Sequence, residues 1–97
     1  MYITMRQYRV QPGQIEEVAR RVDDDWLGKL HEMPGFISYH VFKAQEDHLI
    51  SVSTFLDEKT GQEAAEASSE WVGEYLRDIK VEFVEMRQGP VLVHGGA

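Results

Sequence analysis

Cysteine is absent, so neither a disulfide nor a thiolate metal site can be built. Basic residues are scarce: 10 Lys and Arg stand against 17 Asp and Glu, a formal net charge of −7. Nucleic-acid affinity rests on clustered Lys and Arg, so no nucleic-acid partner is expected. No apolar run is long enough to span a bilayer, and no secretory signal precedes the strand-like residues after Met1; the expected location is the cytoplasm, away from membranes. There is no Gly-rich phosphate loop and no serine in a nucleophile-elbow turn. Internal repeats, linkers and low-complexity stretches are missing too, so the 97 residues read as a single domain over 1–97.

What remains is a well-marked alternation of strands and helices. Tyr2–Val10 is rich in β-branched and aromatic residues and predicts a first strand, ended by Pro12–Gly13. From 14 to 33, Ile15, Val18, Ala19, Val22, Trp26, Leu27, Leu30 and Met33 recur at helical spacing and predict one continuous amphipathic helix. Pro34–Gly35 breaks it. Residues 36–44 and 49–56 then read as a hairpin around Gln45–His48. Asp57 is the expected N-cap of a second helix, whose stripe is Ala64, Ser68, Trp71, Val72, Tyr75, Leu76 and Ile79. Its Ala- and Ser-rich start predicts close packing or a cavity beside it. Residues 80–88 read as a fourth strand, interrupted by Gly89–Pro90, with Val91–His94 as a short extension. The order β-α-β-β-α-β predicts an α+β, ferredoxin-like fold, with both helices on one face of a four-stranded antiparallel sheet.

Side chains alternate along a strand, so the hairpin can be sorted by face. In the second strand, Ile37, Tyr39 and Val41 fall on one side, and Phe36, Ser38, His40, Phe42 and Ala44 on the other. In the third, Ile50, Val52, Thr54 and Leu56 oppose Leu49, Ser51, Ser53 and Phe55. Neither side is a solvent face. Helices cover only one, so the other is expected to meet a second copy, giving a homodimer whose sheets close toward a barrel. The side mixing aromatics with Ser38, His40, Ser51 and Ser53 has the composition of a ligand pocket. Parity leaves open whether it faces the helices or the partner.

His40, mid-strand on the mixed side, is the candidate catalytic residue, since histidine exchanges protons near neutral pH. A core histidine satisfied by its neighbours is the competing explanation. Trp71 and Tyr75, four apart on the second helix, share a face and are candidate walls against a planar ligand; Trp26 is expected in the core. His31, His48 and His94 are expected on the solvated surface. Asp23, Asp24 and Asp25 fan out by about 100° per residue, so they cannot converge on one ion and read as a solvated acidic face. No metal site is expected.

Arg9–Gly13 ending the first strand, Met33-Pro-Gly-Phe36 opening the second, and Phe55 closing the third before an acidic helix resemble the antibiotic biosynthesis monooxygenase (ABM) family. The resemblance covers roughly residues 2–88. It implies a dimeric α+β barrel and, in each subunit, a pocket between helices and sheet. For the pocket of this chain, His40 stands as the catalytic candidate and Arg6, Phe36, Ser38, Ser53, Phe55, Trp71 and Tyr75 as substrate-binding candidates. Some members oxygenate polyketide or quinol-like aromatics with dioxygen and neither metal nor flavin. The implied activity is therefore a cofactor-independent monooxygenase acting on a small apolar or aromatic molecule. A non-catalytic binding or sensing module is the alternative. Haem-degrading members use an Asn on the first strand and a Trp and His on the second helix. Those positions fall here at Arg6 or Gln7, at Ala64 or Ala65, and at Trp71 or Val72, and the chain has no Asn. Haem degradation ranks third.

Overall fold

Gly35 turns the chain out of its first helical run with φ +80°, a left-handed conformation that glycine takes at no steric cost. A Cβ there would also meet Thr60 Oγ1 at 2.8 Å, so the turn is seated directly on the start of the second helix. The computed structural model describes residues 1–96. In chain order it contains β1 (Tyr2–Val10), α1 (Ile15–Arg21), a π-helical segment (Val22–Trp26), α2 (Leu27–His31), β2 (Phe36–Lys43), β3 (His48–Phe55), α3 (Glu58–Tyr75) and β4 (Val81–Pro90). The strands form one antiparallel sheet in the order β2-β3-β1-β4, which is the expected ferredoxin-like arrangement.

The helices cover one face. α3 packs on β1 and β3, and α2 on β2, around a core that includes Val10, Val18, Trp26, Leu30, Leu49 and Phe55. β4 lies beyond them at the sheet edge, where Phe83 stays 55% exposed. Asp57 caps α3 as expected, its Oδ1 accepting from Thr60 N at 2.9 Å. The small residues that follow allow close approach: a Cβ on Gly61 would come within 2.8 Å of the Tyr2 ring.

Five local expectations are corrected. The first helix is not uniformly α: Val22–Trp26 widens to a π turn, with Leu27 N donating back five residues to Val22 O. The wide turn carries Asp25 and Trp26 to α3, so the acidic run is only partly a solvated face. β4 is not interrupted at Gly89–Pro90 but runs through both, which an edge strand tolerates because proline's missing N–H faces no ladder partner. Val91–His94, expected as a strand extension, has no regular structure. Last, the register of β2 against β3 shifts between Phe36 and Ser38. The bulge inserts one residue and reverses the alternation beyond it. Phe36 shares the helix-covered face with Tyr39 and Val41, whereas Ser38, His40 and Phe42 point the other way, opposite Thr54, Val52 and Ile50.

Candidate functional site

β1 is central, and its even-numbered side chains point at the helices. Where a core strand would carry aliphatic residues, this one carries Thr4, Arg6 and Tyr8 between Tyr2 and Val10. Thr4 and Arg6 are buried, Arg6 at 9% exposure. Arg6 reaches across to α3, where Nη1 donates to Ala65 O at 2.8 Å and Nη2 to Ser69 Oγ at 2.7 Å. Its Nε, Thr4 Oγ1 and Tyr8 Oη are all buried without a hydrogen-bond partner. Buried polar atoms are nearly always satisfied, so three orphans in a row on one strand set this stripe apart from an ordinary core. Ser68 stands beside Tyr8 Oη, yet the two hydroxyls do not reach hydrogen-bonding geometry.

Two small cavities flank this stripe. One, of about 40 Å³, lies among Tyr8, Val18, Trp26, Tyr39, Ser51 and Trp71. The other, of about 10 Å³, is lined by Thr4, Arg6, Ser53 and Ala65, and shares Trp26, Tyr39, Ser51 and Ser68 with the first. A water needs roughly 10–15 Å³ of such space, so the interior has room for a few water-sized molecules and for no ring system. Outside it, an open groove of about 390 Å³ runs between α3 and β4, along Arg6, Tyr8, Ser69, Val72, Gly73 and Phe83. Burial raises the Tyr8 phenol, the Arg6 charge only partly opposing it. Burial likewise pushes Tyr39 up to about 12. Both phenols are therefore neutral at physiological pH, and among the described residues no carboxylate lines either cavity or the groove.

The far wall is aromatic. Trp26 and Trp71 rings meet at 5.9 Å, and Tyr75 stacks on Trp71 from outside at 5.4 Å. Trp71 Nε1 donates to Asp25 Oδ2 at 2.7 Å, across from the π turn. That bond, with Lys29 Nζ at 3.3 Å behind it, holds the Asp25 carboxyl below its usual range. The wall is thus pinned in orientation by an ion from the neighbouring helix.

Of the residues singled out in the sequence, Arg6, Ser53 and Trp71 line this interior. Phe36 and Phe55 pack edge-to-face at 5.7 Å near the Gly35 turn, lining neither cavity. Tyr75, 43% exposed, stands behind Trp71. Ser38 and His40 lie on the opposite face of the sheet, for the register reason given above. His48, expected at the surface, has Nδ1 buried without a partner at the start of β3. Thr4, Tyr8, Tyr39 and Ser68 line the interior as well, without being candidates on sequence grounds. Thr4 and Tyr8 could have been, since they are two residues either side of Arg6 on a strand. Tyr39 could not, because the bulge hides its true face.

The comparisons with known proteins agree with this architecture. A sequence model described as antibiotic biosynthesis monooxygenase matches residues 1–72. No protein of curated function matches the chain. Among solved structures, HapK from Hahella chejuensis superposes with a TM-score of 0.78 at 19% identity, covering 100% of this chain and 98% of that one. SnoaB, a cofactor-independent oxygenase from Streptomyces nogalater, gives 0.68 at 13%, over 96% and 94%. A monooxygenase from the gene ActVA-Orf6 of Streptomyces coelicolor, in complex with the ligand Nanaomycin D, gives 0.70 at 13%, over 99% and 89%. At these identities the likeness is one of fold.

Proposed function

We propose, for a chain that belongs to the antibiotic biosynthesis monooxygenase family, that it oxygenates a small phenolic or quinol-like ring with dioxygen and no cofactor. The observation that carries this reading is the pairing of a ring-sized groove with a cavity too small for a ring, Tyr8, Val72 and Val81 forming their common wall. The substrate lies in the groove against Phe83 and Tyr8; dioxygen occupies the aromatic-walled interior behind. A ring CH₂ next to a phenol or carbonyl loses a proton to water in the open groove. The resulting carbanion passes one electron to dioxygen, and the radical and superoxide combine into a C–O bond. The peroxide takes up a proton, the O–O bond breaks with loss of the remaining C–H proton, and water leaves. The sum is R₂CH₂ + O₂ → R₂C=O + H₂O. Tyr8 Oη, neutral and free to donate, meets the negative charge that develops on the oxygen. His40, facing away, has no part in these steps.

A second copy completes the proposal. The sheet face away from the helices bears Ile3, Met5, Phe42, Ile50 and Val52, and we assign it to a homodimer.

The test is oxygen uptake with a panel of quinols and anthrone-like phenols. At least one member should consume one dioxygen per carbonyl formed. Tyr8→Phe should then lower turnover by about a hundredfold. Melting should barely move, because the hydroxyl has no partner to lose. Full activity in Tyr8→Phe defeats this mechanism. Binding without oxygen uptake by any panel member favours a non-catalytic binding module.

A further inference from the structure

We infer that the ligand of this site binds as an anion, its ionised oxygen drawn to the Arg6 guanidinium from the groove between α3 and β4. The inference rests on the reading of this region as a ligand site and goes beyond it by naming the ligand's charge.

Burying a charge is costly unless it is paired. Arg20, Arg21 and Arg87 each hold a carboxylate within 4 Å. Arg9 and Arg77 have none but are exposed to water. Among the described residues, Arg6 alone of the arginines is both buried and without a carboxylate. In a chain with 17 acidic residues, a counter-ion was available in composition and is missing in space. Arg6 is not held by charge from any side: Ala65 O and Ser69 Oγ are neutral, and the rings of Tyr8 and Phe83 lie 5.7 and 5.8 Å from its guanidinium carbon. Those two rings soften the desolvation without neutralising it.

Geometry says where the missing charge belongs. Two of the Arg6 nitrogens are fixed on α3, which sets the guanidinium plane and leaves Nε as the one buried donor without an acceptor. Of the two residues beside it on the strand face, Tyr8 lines the groove with Arg6, whereas Thr4 lines only the smaller cavity. A cation without a counter-ion on the wall of an open groove suits an oxyanion. Phe83, half-exposed on the groove wall and edge-on to Tyr8 at 5.9 Å, offers the apolar surface for the ring that bears it. The occupant is therefore an aromatic carboxylate, phenolate or enolate rather than a neutral hydrocarbon ring.

Calorimetry at pH 7 with two naphthalene probes of matched size separates the possibilities: 1-naphthoate, an anion, and 1-naphthalenemethanol, neutral. Wild type should bind the anion at least about tenfold more tightly, the scale of one hydrogen bond to a charged group. Arg6→Gln should erase the preference. Arg6→Lys, which keeps the charge but not the planar donor, should retain a reduced preference. Equal affinities in wild type, no binding of either probe at millimolar concentration, or a preference that survives Arg6→Gln each overturn the inference; the wild-type comparison decides even if the variants fold poorly. Anion preference without oxygen uptake would keep this site and remove the oxygenase reading. Oxygen uptake on neutral rings with no anion preference would do the reverse.

Discussion

The two faces of the sheet invert the usual rule. The face under the helices carries Thr4, Arg6, Tyr8, Tyr39, Ser51 and Ser53, polar groups where a core is normally aliphatic. The face away from them carries Ile3, Met5, Phe42, Ile50 and Val52, apolar groups where a monomer would meet water. Burying unpartnered polar atoms and exposing large apolar ones are both unfavourable for an isolated chain, and each marks a function the fold alone does not need. We propose a ligand for the polar atoms inside and a partner for the apolar atoms outside. The inner face also varies along its length: at the Phe36–Phe55 end it is an ordinary dry core, from Ser53 it turns polar, and Leu49 and Val10 close it again at the far end.

The largest effect expected lies in that dry end. Phe55 is 1% exposed, so Phe55→Ala should cost about 3–5 kcal/mol in urea unfolding, as large aromatic truncations do. Ser53→Ala, two residues earlier on the same face, should cost less than about 1 kcal/mol. Comparable losses at the two positions would mean that the inner face is uniform core and no site at all.

The outer face supplies the next effect. Ile50 sits mid-sheet, between Phe42 of β2 and Gln7 of β1. Ile50→Lys should leave the monomer folded, since a lysine can carry its amine to water. In the dimer it buries a charge, and the dissociation constant should rise by about a hundredfold. Sedimentation at micromolar concentration reads this directly: twice the chain mass for wild type, one chain mass for the variant. A monomeric wild type removes the partner from the comparison.

The smallest effect comes from the helix surface, which belongs to neither face. Hydrogen bonds from Arg20 and Arg21 hold Glu17 down to about 2, and those from Arg21 hold Asp78 down to about 2. In the unfolded chain both revert to the ordinary range of about 4. The folded state thus binds fewer protons, so this stabilisation is complete above about pH 5 and fades as pH falls toward 2. These pairs are solvated and screened, so the slope is shallow, and Arg21→Gln should flatten it further. An unchanged acid slope in that variant would move the titrating groups elsewhere.

Much of the fold could be read from local chemistry. Alternation, helical periodicity, the Pro–Gly breaks and the Asp57 cap are decided by neighbours a few residues apart, and they appear where those signals put them, except that α3 ends at Tyr75, short of the Leu76 and Ile79 of its expected stripe. Boundaries slipped where a long-range partner intervened: β4 continues through Pro90 because it pairs with β1 as far as Tyr2. The site was legible only in part. Arg6 and Trp71 could be singled out in the chain, but what makes Arg6 unusual is the absence of a carboxylate nearby, and that is a property of space.

One inserted residue separates what the chain determined alone from what it did not. Sequence by itself determined the two strands of the β2–β3 hairpin and that each of its sides carries apolar or aromatic residues. It could not determine which residues share a side, because strand parity counts only while the ladder is regular. The register shift between Phe36 and Ser38 reverses the count, sending His40 out and Tyr39 in. A bulge is set by how two strands and the turn before them fit together, here with Gly35 seated on Thr60. Only the packed tertiary structure makes that decision.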